Sequence, residues 1–124
     1  EPAVLQERRA QLETLHQALN GTLVARFSLA ESLARKADTL PPLLRTWLSW
    51  WRDLALMTYG RKSNESISNV DEFEKLHVLA ARLPRAAVLA SFAQTEAALR
   101  QLGQNANTRL VLENVLLTYP PRPA

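Results

Sequence analysis

The chain has 124 residues, no cysteine, a net charge of +3 and 47% hydrophobic residues. That length predicts one domain with its own core, and a composition led by Ala, Leu, Arg, Glu and Gln with only 3 Gly predicts an all-α fold, a single bundle of about six helices. The missing cysteines exclude a disulfide frame and thiolate chemistry, no apolar run is long enough to span a membrane, and the N-terminus lacks the apolar block of a signal peptide, so the expected location is the cytoplasm.

Pro2 to Leu19 reads as a first helix, with Val4, Leu5, Leu12, Leu15 and Leu19 on one face and Asn20-Gly21 ending it. Arg8 falls inside that apolar stripe, either snorkelling at the edge of the core or facing a partner. His16 lies beside the same stripe, far in sequence from His77. Neither has a carboxylate or cysteine at ligand spacing, so each reads as a partly buried structural residue rather than a metal ligand or base. Thr22 opens a second helix to about Lys36, with Leu23, Phe27, Ala30 and Ala34 inside and Glu31 with Arg35 as an outer i, i+4 pair. The short Asn-Gly-Thr link predicts that these two helices are antiparallel neighbours.

Thr39 to Gly60 holds all 3 tryptophans and predicts the central helix. Thr39 is placed to cap it, Pro41 and Pro42 fit the first turn, and Gly60 suits the left-handed residue that closes the last one. At about 100° per residue, Met57, Trp50, Leu43, Leu54, Trp47, Trp51, Leu44, Ala55 and Leu48 cover half the circumference, which predicts neighbours on two flanks. Arg45, Ser49, Arg52 and Asp53 fill the polar side. Arg61 to Ser68 is the one long polar stretch and reads as an exposed loop. Gly60-Arg61-Lys62-Ser63 lacks the register and preceding strand of a phosphate-binding loop, and the two Asn-x-Ser/Thr triplets carry no meaning without a secretory signal.

Asn69 with Glu72 three residues on resembles a capping box, and a fourth helix follows to Arg82 with Phe73, Leu76, Leu79 and Ala80 turned inward. Pro84 begins a fifth that runs to Leu102, with Val88, Phe92, Thr95, Leu99 and Leu102 as its core stripe. Ala86, Ala90, Ala93 and Ala97 line another face, a small-residue surface for a close helix of this chain or of a partner. Gly103 and Asn105 break this helix, and Asn107 caps the last, Arg109 to Leu117, which is apolar on nearly every side except Glu113 and Asn114. Such a helix either threads the core or meets a partner protein. The segment 118–124 reads as an extended, poorly ordered tail. The expected core centres on Trp47, Trp50, Trp51, Leu54, Phe92 and Leu99. The candidate residues for an interface with another subunit are Arg8, Leu110, Val111, Leu112, Val115 and Leu116, with some apolar surface of the last helix left exposed.

The fifteen Lys and Arg are spread along the chain, adjacent only at Arg8-Arg9, Arg35-Lys36 and Arg61-Lys62, which is not the basic stripe of a nucleic-acid module. No Ser, His, Asp grouping, paired carboxylates, glycine-rich loop or metal spacing appears, so neither catalysis nor a cofactor is expected. Composition and periodicity alone predict a helical interaction domain.

Four blocks, ARFSLAESLARKAD, LLRTWLSWWRDLAL, VDEFEKLHVLAARLP and NANTRLVLENVLL, resemble the C-terminal collar domain of the bacterial clamp-loader delta-prime subunit of DNA polymerase III in order and spacing across almost the whole chain. The most specific are Trp47 to Leu54 and Asn105 to Glu113; Thr108 departs from the proline of the usual Asn-Pro-Arg-Leu form. The resemblance implies a fragment of a longer protein with an AAA+-type ATPase region ahead of it. It also implies a non-catalytic role in a ring of five collar domains, with gamma/tau and delta as partners and DNA met only through the assembled loader that places the sliding clamp. The collar of gamma/tau or delta shares this architecture and stays open, as does an unrelated helical DNA-binding domain, which primer-template titration at two salt concentrations would separate.

Overall fold

The computed structural model describes residues 2–60, 72–104 and 106–122. Among them are six α-helices: α1 Pro2–Asn20, α2 Leu23–Ala34, α3 Leu40–Thr58, α4 Phe73–Arg82, α5 Arg85–Leu102 and α6 Thr108–Thr118. The loop expected at Arg61 to Ser68, the cap at Asn69 and the break at Asn105 lie outside the described residues.

α3 is the hub, packed against α1, α4 and α5. Its apolar arc buries all three tryptophans together with Leu43, Leu44, Leu54 and Met57. With three neighbours the polar arc is narrower than its sequence implies. Asp53, expected on the solvent side, is fully buried, its Oδ1 3.1 Å from the Arg52 guanidinium. Thr39 does not cap the helix. A 3-10 turn at Ala37–Thr39 precedes α3, Thr39 takes helical angles, and its hydroxyl donates to the Lys36 carbonyl. At the other end Gly60 has φ +89°, the left-handed closure that its lack of a Cβ permits.

The second layer is α2 on α6, joined to the hub through α5. Thr22 caps α2 by accepting from the Ala25 N–H, and Asn107 caps α6 by accepting from Leu110. α2 contacts α1 only slightly and lies mainly along α6, so the close pairing expected across the Asn-Gly-Thr link is replaced. Arg26 is buried and ties α2 to the ends of both α1 and α6. Leu23 and Phe27 are consequently exposed, not inside: Phe27 stands one step, about 100°, round the helix from Arg26. At the start of α1, Val4 and Leu5 are exposed too, and the buried stripe begins at Leu12.

α5 buries Val88, Ser91, Thr95 and Ala98, while Phe92, Leu99 and Leu102 pack partly buried against the core's edge. Ser91 and Thr95 return their hydroxyls to carbonyls one turn back, which makes them tolerable inside. The alanine face has no covering helix among the described residues; Ala86, Ala90 and Ala93 are exposed. After Thr118 the chain turns extended, but residues 119–122 are fastened rather than loose. Tyr119 is buried, its ring 4.9 Å from that of Trp51 and its hydroxyl hydrogen-bonded to Thr95, and the Arg122 N–H donates to the Leu19 carbonyl.

Candidate protein-protein interface

Arg26 sets the orientation of the α2–α6 layer. Its guanidinium donates to the carbonyls of Ala18 at 2.9 Å, Leu116 at 2.7 Å, Tyr119 at 2.6 Å and Pro120 at 3.3 Å. Two of these belong to the last turns of α1 and α6, where carbonyls lack helical partners and the helix dipole is negative, so a buried cation is compensated without a carboxylate. Burial still lowers the Arg26 pKa from its ordinary value. At the opposite end of α6, Arg109 lies 4.0 Å from Glu31 of α2, so the two helices run antiparallel.

This packing decides which apolar side chains of the layer remain outside. Val111, Leu112, Val115 and Leu116 are buried, and as candidate interface residues they are corrected to core: they face α2 and α5. Leu110 is 54% exposed and Leu117, one heptad on, is also exposed. On α2, which packs along α6, Leu23, Val24 at 75% exposed, and Phe27 are exposed as well. The result is an apolar outer face shared by α2 and α6, rimmed by Arg109 with Glu113 at 3.1 Å and by Glu31 with Arg35 at 3.5 Å. Exposed apolar groups on neighbouring helices are the kind of surface that commonly serves as an interface. The α2 half of this face escapes sequence reasoning because Arg26, in the middle of Leu-Val-Ala-Arg-Phe, reads as an outward charge. Arg8 is half-buried and donates to Ser49 on α3 at 3.5 Å, on the hub and not on this face.

A second polar group ties Arg122 to α1. His16 Nε2 donates to Glu72 Oε1 at 2.7 Å, and its Nδ1 accepts from the Arg122 guanidinium. Trp50 Nε1 donates to the same carboxylate oxygen at 3.1 Å, and Lys75 reaches the other at 3.4 Å. Thus Glu72, which its spacing from Asn69 marks as a capping residue, links α1, α3 and α4 through its carboxylate, while His77 stacks on Phe73 at the surface.

Burial alone raises the Glu72 pKa, but the hydrogen bond from His16, the positive charges nearby and the Trp50 N–H outweigh it and hold the carboxyl down to about 2, against 4.5. A folded-state pKa below the unfolded one contributes stability that is complete above pH 4.5 and is lost as pH falls toward 2. We expect roughly 2 to 3 kcal/mol to disappear over that window. Urea unfolding of the wild type and Glu72→Gln at pH 7 and pH 3 checks this: the variant should lose distinctly less stability than the wild type. An equal loss in both places the acid sensitivity on other carboxylates.

No described helix is long and apolar enough to cross a membrane, and no three His, Asp or Glu side chains among the described residues converge as metal ligands. The family model described as DNA polymerase III, delta subunit, C terminal matches residues 2–119. No curated protein and no solved structure matches the chain.

Proposed function

The chain belongs to the family formed by the C-terminal domain of the DNA polymerase III delta subunit, a component of the clamp loader, and on that premise we propose that it is a collar-type oligomerisation domain that joins its parent protein to the rest of the loader. One observation carries the reading: Leu23, Val24, Phe27, Leu110 and Leu117 share an outer face with no covering element among the described residues. A domain that buries three tryptophans yet leaves these five side chains in water has a surface built for a neighbour. The fold contributes rigidity behind that face, and the domain supplies assembly rather than chemistry.

Within the loader, we place the chain at the delta-prime position, on the resemblance of Trp47 to Leu54 and Asn105 to Glu113 to the collar found there. The delta position is the competing assignment, since the family description names it. Loaders assembled without delta-prime or without delta distinguish the two, because only the preparation with the matching vacancy should capture the chain.

Leu110→Glu and Phe27→Asp test the face itself. Both sites are exposed, so each variant should melt within about 0.5 kcal/mol of the parent while losing co-purification with the other loader proteins. Full capture of both variants transfers the interface to another surface, first of all the alanine side of α5.

A further inference from the structure

The face on α2 and α6 does not account for a groove elsewhere on the domain, where the tail crosses α4. It has a volume of about 290 Å³ and is lined by Glu74, Lys75, Val78, Leu79 and Arg82 of α4 and by Arg122 of the tail. Lys75, Val78 and Arg82 recur at i, i+3 and i+7, so one side of α4 presents an apolar centre between two cations, and Arg122 supplies a third from across the groove. Val78 is 47% exposed. The single carboxylate, Glu74, leaves the lining net positive.

We propose that this groove binds a short acidic peptide segment of a partner protein, with an apolar side chain seated on Val78 and Leu79 and flanking carboxylates on Lys75, Arg82 and Arg122. Charge complementarity selects the occupant. Lysine and arginine carry more donors than the contacts described use: the Lys75 ammonium reaches Glu72, and one terminal nitrogen of the Arg122 guanidinium is directed to His16. The site does not require any of the three cations to be unpaired, because carboxylates attach to the remaining donors and the apolar floor supplies the anchor. A nucleic-acid strand fits less well, since no aromatic side chain lines the groove for a base to stack on. The proposal is independent of the loader reading and uses none of the residues on the α2–α6 face.

The test is fluorescence anisotropy of the chain with a labelled Asp-Asp-Leu-Asp-Leu-Asp peptide, the same peptide with serine for leucine, and a deoxythymidine hexamer. The leucine peptide should bind, the serine peptide at least tenfold more weakly, and the hexamer more weakly still. Val78→Asp and Arg82→Glu should each weaken the leucine peptide at least tenfold with unchanged melting, as both side chains are exposed. Amide shifts of the unaltered chain on peptide addition should map to residues 74–82 and to Arg122, which holds even if a variant fails to fold. Absence of binding at millimolar peptide, shifts confined elsewhere, equal binding by both variants, or equal affinity for the hexamer overturns the proposal.

Discussion

Replacing Arg26 with alanine should lower the melting temperature by about 10 to 20 °C, corresponding to a loss of about 3 to 5 kcal/mol. The substitution leaves the carbonyls of Leu116, Tyr119 and Pro120 without their donor in a largely buried place, and releases the Ala18 carbonyl to its remaining contact with the Gly21 N–H. Each buried carbonyl stripped of its partner costs on the order of 1 to 3 kcal/mol, and water entering the vacated space recovers part of that. Lysine retains the charge but cannot reach four acceptors in a fixed fork, so Arg26→Lys should fall between the two. Thermal unfolding followed by circular dichroism decides the matter. A melting temperature within a few degrees of wild type for the alanine variant would mean that the α2–α6 layer is secured by its apolar contacts alone.

Alanine at Trp47 or Trp51 should be comparably severe. Both indoles are fully buried, Trp47 with its ring 6.0 Å and Trp51 with its ring 4.9 Å from that of Tyr119, so truncation opens a cavity that the converging helices cannot collapse to fill. The expected loss is about 3 to 5 kcal/mol. Phenylalanine separates packing from polarity. Trp47 Nε1 donates to the Gln11 carbonyl at 2.9 Å, whereas Trp51 Nε1 makes no hydrogen bond of regular geometry among the described residues and meets only the Tyr119 hydroxyl, weakly. Trp51→Phe should therefore be the milder phenylalanine exchange, by about 1 kcal/mol in a urea titration. Equal effects would show that the indole N–H of Trp47 contributes nothing net.

The helices and their order are legible in the sequence because their signals are local: Thr22 and Asn107 as caps, Pro84 before α5, and the apolar period of α3. What periodicity cannot supply is the rotation of α2. An arginine counted as polar pushes the apparent apolar stripe onto Leu23 and Phe27, and only the carbonyl ends of α1 and α6, brought together by tertiary packing, make the buried position favourable for it. The same holds for His16, Glu72 and Arg122: Glu72 lies 56 and Arg122 106 residues from His16, and no spacing announces the group. Conversely, the apolar circumference of α6 does announce a helix with both a buried and an exposed apolar side, yet only Leu110 and Leu117 are left outside because α2 and α5 cover the rest.

The fastening of residues 119–122 bears on the order in which the chain can acquire its structure during synthesis. Arg26 finds its acceptors 90 to 94 residues later, and His16 meets Arg122 across 106. At about 5 to 20 residues per second, α2 emerges from the ribosome several seconds before α6 exists to receive it. During that interval Leu23, Val24, Phe27 and the unsatisfied Arg26 belong to a helix with no stable docking site, while α3, α4 and α5 can already associate. Nascent-chain truncations should consequently remain protease-sensitive across α1 and α2 until Tyr119 has been released, and become resistant in one step once the last turn of α6 closes over the guanidinium.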